Sequence, residues 1–137
     1  MRKLVKIVTG ILGFIMLVPG LAKFGEPFKT FIYKHLTIIG FPFPDFMQYV
    51  VKFSEVGVGL LLIYVAFRAN KLNPSFRNKL FYLGNITVVG IMIVAVYTHL
   101  HLDVPAEILP METKPPYMPI GYIFLVAVNL FLNRNSN

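Results

Sequence analysis

Apolar residues collect in four runs along this chain, at about residues 4–22, 48–67, 81–100 and 117–132, and polar residues gather between them. The runs lack the dyad alternation of a membrane barrel, so strands are not expected. Helices are. At about 1.5 Å per residue, roughly 20 residues cross the ~30 Å hydrocarbon layer of a bilayer, and the first three runs reach that length. The fourth is shorter, but Pro119 suits a first helical turn, so its helix begins nearer Pro115. The expected fold is all-α: an integral membrane antiparallel four-helix bundle forming a single domain over residues 1–137.

The two segments on one side of this bundle have their own patterns. In "FGEPFKTFIYKHLTIIGFPFPDFM", Phe28, Phe31, Ile32, Leu36 and Ile39 recur at helical spacing opposite Lys29, Lys34 and His35. That predicts a short interfacial helix in the first outer loop, ended by Gly40, Pro42 and Pro44. The second segment, "HLHLDVPAEILPMETKPPYM", is acidic and broken by prolines, which predicts ordered turns above the bundle.

Composition strengthens the membrane reading. The chain is 56% hydrophobic and 14% charged, against about 25% charged in ordinary soluble domains. Its mean hydropathy is +0.68. A net charge of +7 would suggest nucleic acid in a soluble protein, but here the basic residues flank apolar runs, so the expected partner is the lipid bilayer and no nucleic acid. Arg2, Lys3, Lys6, Arg68, Lys71, Arg77, Lys79 and Arg134 lie on one side of the bundle with no acid among them. The positive-inside rule then makes both termini cytoplasmic. "MRKLVK" followed by an apolar stretch and Gly20-Leu21-Ala22 also has the layout of a cleavable signal, but Pro19 and Lys23 disfavour cleavage, so the first helix is expected to be retained. The absence of cysteine excludes disulfides and thiolate metal sites.

Ionisable residues inside such runs need partners, because a charge at the membrane centre costs about 2.5–3.5 kcal/mol on insertion scales. Gln48, Lys52, Glu55 and Gly59 share one helical face, Lys23 closes the first helix, and Tyr97, His99, His101 and Asp103 mark the exit of the third. All are expected in the outer half of the bundle. Lys23, Lys52, Glu55, Tyr97, His99 and His101 are the candidates for a polar pocket or proton relay, with Glu55 paired to Lys23 or Lys52. A structural ion pair that pins two helices is the competing role for the same residues. His99 is expected to bond Glu55 or Tyr97. No metal is expected from "THLHLD", since alternate residues on a helix point about 200° apart, and no histidine pair suits a haem. Asn85 and Asn129 lie at similar depth near the cytoplasmic end and are expected to bond across helices.

"GLAKF" at the end of the first helix, "EVGVGLLL" early in the second and "YTHLHL" ending the third resemble the DoxX family of small four-helix membrane proteins. The resemblance covers nearly the whole chain and maps the family's recurrent lysine and glutamate to Lys23 and Glu55, beside Gly20 and Gly57. The long aromatic first loop and the doubled histidine depart from the family pattern. Known members are subunits of terminal quinol oxidase or thiosulfate:quinone oxidoreductase complexes, similar proteins belong to oxidative-stress complexes, and distant relatives assist assembly of membrane proteins. The resemblance implies a small accessory subunit of a redox-linked complex in a prokaryotic cytoplasmic membrane, rather than a self-sufficient oxidoreductase. It also implies a quinone as the associated cofactor, with none intrinsic, and a protein subunit or second copy as partner. The alternative is a non-enzymatic assembly or chaperone-like factor that holds partner helices in the same groove.

Overall fold

The computed structural model describes residues 1–135. Its five α-helices are α1 (Lys3–Ala22), α2 (Phe28–Ile38), α3 (Pro44–Arg68), α4 (Pro74–Leu100) and α5 (Tyr117–Asn135), with two 3-10 turns, Ala106–Ile108 and Pro110–Glu112, before α5. No strand occurs among the described residues. α1, α3, α4 and α5, with 20, 25, 27 and 19 residues, are long and apolar enough to cross a membrane.

Two of these helices start earlier than their apolar runs. Pro44 ends no preceding segment; it is the first residue of α3, after Phe43 in a left-handed conformation (φ 51°). Pro74 likewise opens α4, and the Asn73 side chain accepts a hydrogen bond from the Ser75 amide at 2.9 Å. A proline at the first helical position lacks only an amide hydrogen the helix cannot use, so both prolines act as starts.

The long helices pack α1 on α3 and α5, and α4 on α3 and α5. Their shared core is Leu12, Met16, Val58, Leu62, Val88, Met92 and Val126. α1 and α3 approach most closely, at glycines. A Cβ built on Gly13 would lie 2.8 Å from the Gly59 carbonyl oxygen, and one on Gly20 would lie 2.9 Å from the Glu55 Cβ. Such backbone contact is how helices gain packing energy in lipid, where apolar burial gives little.

Polarity is inverted relative to a water-soluble fold. Thr9, Gln48, Lys52, Glu55, Asn85, Thr98, His99 and Asn129 are buried, while Phe14, Phe53, Ile86, Phe124 and Phe131 are each more than half exposed. This distribution suits a surface solvated by hydrocarbon. Asn129 donates to the Thr9 hydroxyl at 3.0 Å and to Asn85 Oδ1 at 3.2 Å, tying α5 to α1 and α4. At the basic end, Lys6 donates to Asn70 Oδ1 at 2.9 Å and Arg77 to the Ala69 carbonyl at 3.3 Å.

α2 is a docked lid. Ile32 and Leu36 are buried, while Phe31, Ile38 and Ile39 pack on Val104, Ile108 and Leu109 of the segment between α4 and α5. His35 departs from the expected polar face with Lys29 and Lys34: it donates from Nε2 to the Ile108 carbonyl. A helix that lay free on an interface would solvate that ring; one sandwiched against a second loop must bond it.

Candidate functional site

A cavity of about 520 Å³ lies between the α2 ends of the long helices, beneath α2 and the 3-10 turns. Its walls are mainly apolar, including Met16, Val51, Ile91 and Met92, and its polar groups are Lys23, His35, Ser54, Glu55, Thr98, His99 and Tyr122. This volume is in the range of sites for small organic ligands, roughly 300–1,000 Å³.

Lys23 and Glu55 form its charged corner. The Lys23 ammonium donates to Oε1 at 2.9 Å and Oε2 at 2.6 Å. Lys23 ends α1, where its amide still bonds the Pro19 carbonyl, and Gly20 one turn earlier lets α3 come close enough for the carboxylate to reach it. Glu55 is the more deeply placed partner, with its side chain 7% exposed against 22% for Lys23. Using both oxygens on one ammonium strengthens and orients the pair.

Two imidazoles complete the end under the lid. His99 bonds through Nδ1 to the Lys114 carbonyl at 3.2 Å, not to Glu55 or Tyr97. A carbonyl can only accept, so Nδ1 carries the hydrogen and, in the neutral ring, Nε2 is left as an acceptor. His35 is set the other way round, with Nε2 donating to Ile108 and Nδ1 left as acceptor. Burial, opposed in part by that bond and reinforced by nearby Lys23 and His99, lowers its pKa from 6.5 to about 4. Lys114 in turn donates to the His101 carbonyl and, at 2.6 Å, to the Val104 carbonyl, which fixes the turns over the cavity.

Tyr122 is a further member that the sequence pattern did not single out. Its hydroxyl donates to the Ile15 carbonyl at 2.7 Å. Pro19 explains why that carbonyl is free: a helical amide at position 19 would bond residue 15, and proline has none.

The other three candidates lie away from the cavity. Lys52 is fully buried, but its ammonium goes to Gln48 Oε1 at 3.2 Å and stands 4.8 Å from the Tyr49 ring centroid and 5.3 Å from that of Phe24. The ammonium is met by an amide oxygen and two ring faces rather than by Glu55. Tyr97 is 56% exposed, and its ring meets that of His101 with centroids 5.9 Å apart. His101, past the end of α4, accepts from the Asp103 amide at 3.2 Å. Tyr97 and His101 share a face one turn apart, and His99 points away from both, which divides the expected cluster. Among the described residues, no three histidine, aspartate or glutamate side chains gather as metal ligands.

No family model, no curated protein and no solved structure matches this chain.

Proposed function

We propose that this protein is an integral membrane four-helix bundle of the DoxX type, with adjacent helices antiparallel and both termini cytoplasmic, which holds an amphipathic quinone-like molecule as an accessory subunit of a redox-linked complex. The charge distribution supports the orientation, since the basic cluster lies at the end opposite α2. The observation that carries the function is the cavity itself: apolar walls leading to one polar corner.

That corner offers donors and acceptors together. The Lys23 ammonium can donate to a ring carbonyl, while Glu55, Nδ1 of His35 and Nε2 of His99 can accept from a ring hydroxyl. Such a set suits a head group whose oxidised and reduced forms present carbonyl and hydroxyl oxygens. Quinone reduction takes up two electrons and two protons; the chain has no cysteine to bind an iron–sulfur cluster, and in this reading a partner oxidoreductase supplies the electrons. The chain's own contribution is to bind and orient the head and to keep water out.

Equilibrium titration of the purified protein in detergent with decylubiquinone tests this reading. Saturable binding that weakens roughly tenfold in Lys23→Met is expected, the loss that follows removal of a charged hydrogen bond. Absence of saturable binding to the native chain overturns the quinone reading and leaves the groove to the assembly role.

A further inference from the structure

The cavity is floored by the packed core and roofed by α2 with the 3-10 turns, so its route to the surroundings is sideways. On one flank the lining passes from Val50 and Ser54 of α3 to Gly90 and Val94 of α4. Val50 is 39% exposed. Gly90 is also exposed, and a Cβ added to it would meet nothing within 4 Å. It is a different kind of glycine from Gly13, Gly20 and Gly84, where an added Cβ would collide with a neighbouring helix. A glycine that packs against nothing, in the wall of a cavity and at its outer surface, is a gap in the wall.

We infer that Gly90 is the threshold of a lateral portal between α3 and α4, through which the apolar chain of a single-tailed amphiphile extends into the lipid while its polar head sits by Lys23, Glu55, His35 and His99. The inference rests on the head-group site proposed above and adds the class of ligand and its route. Charge supports the direction of the chain: the ionisable groups are at the closed corner, and the flank consists of apolar residues apart from Ser54. A ligand that is apolar at one end and polar at the other is thereby held in one orientation. Its loading requires no opening of the lid.

The test uses Gly90→Phe, which places a ring in open space at an exposed helical position and so leaves the packing intact. Binding of ubiquinone-0, a head without a tail, is expected to stay within about twofold of the native chain, as for distant independent sites. Binding of decylubiquinone is expected to fall roughly tenfold or more, the effect of overpacking the passage that the chain would share with the new ring. Unchanged decylubiquinone affinity in Gly90→Phe overturns the portal while leaving the quinone reading in place. A spin-labelled stearate, which has a chain but no quinone head, decides the portal independently. An immobilised spectral component in the native protein that is lost in Gly90→Phe supports it even if no quinone binds, and a component equal in both proteins, or absent from both, overturns it.

Discussion

Lys23 and Glu55 stand 32 residues apart in sequence, yet one ammonium meets both oxygens of one carboxylate at 2.9 and 2.6 Å. The two partners are not equivalent. Lys23→Met strands a carboxylate whose side chain is 7% exposed, which should cost about 3–5 kcal/mol of stability. Glu55→Gln leaves an ammonium that is 22% exposed at a helix end, free to reach toward polar surroundings, and should cost about 1–2 kcal/mol. Thermal unfolding in detergent should therefore rank Lys23→Met below Glu55→Gln, with the double variant less destabilised than the sum. Equal, additive effects would mean the two groups do not interact.

Gly20 and Gly57 flank that pair and should respond oppositely. A Cβ on Gly20 would press on the Glu55 Cβ at 2.9 Å, whereas one on Gly57 meets nothing within 4 Å. Gly20→Ala should destabilise by about 1–3 kcal/mol through forced separation of α1 and α3. Gly57→Ala should be neutral or stabilising by up to about 1 kcal/mol. Unfolding midpoints of the two variants check this, and a harmless Gly20→Ala would contradict the close approach.

Tyr122 and Pro19 form a compensating pair. Tyr122→Phe removes the donor to the Ile15 carbonyl, leaving it part-buried without that partner, and should cost about 1–3 kcal/mol. In a Pro19→Ala background the helix supplies its own amide to that carbonyl, and the same change should cost about half as much or less. A thermodynamic cycle on the four proteins measures the coupling. No coupling would assign the tyrosine to packing alone.

His35 gives the lid an acid sensitivity whose sign follows from its pKa. With the folded value at about 4 and the ordinary value at 6.5, the unfolded chain binds more protons between those limits. Stability from this group is complete above about pH 6.5 and is lost progressively as pH falls toward 4, by up to about 3 kcal/mol. Lys23 and His99 face the same ring and oppose its charging. Hydrogen exchange should show α2 and residues 104–109 losing protection first on acidification, and His35→Gln should flatten that dependence. A lid whose protection is unchanged down to pH 4 would contradict it.

The spans and the pairing of Lys23 with Glu55 are legible in the sequence for one reason: apolar length and the penalty on an isolated charge each leave few alternatives. The Asn85 and Asn129 bond follows from depth alone. Other features depend on where the loops fold back, and single-helix periodicity cannot show that. His35 reads as a surface residue beside Lys34 until the segment between α4 and α5 is laid against α2. Lys52 is spaced to meet Glu55, three residues on, but Gln48, Tyr49 and Phe24 reach it instead. Tyr122 sits in an apolar run with no polar neighbour, and its only signal is the missing amide of Pro19 on another helix.

Three of the lysines near the lid have committed ammonium groups: Lys23 to Glu55, Lys52 to Gln48, and Lys114 to two backbone carbonyls. Lys29 and Lys34 alone remain exposed there, against Glu26, Asp45, Asp103, Glu107 and Glu112. Bonds to neutral oxygens leave Lys52 and Lys114 charged, so five lysines nearly balance six acids at this end, while the opposite end carries eight Lys and Arg residues and no acid; the charge is strongly asymmetric along the long axis. With the basic end on the inner side, as proposed above, an energised membrane, negative within, would hold the molecule upright.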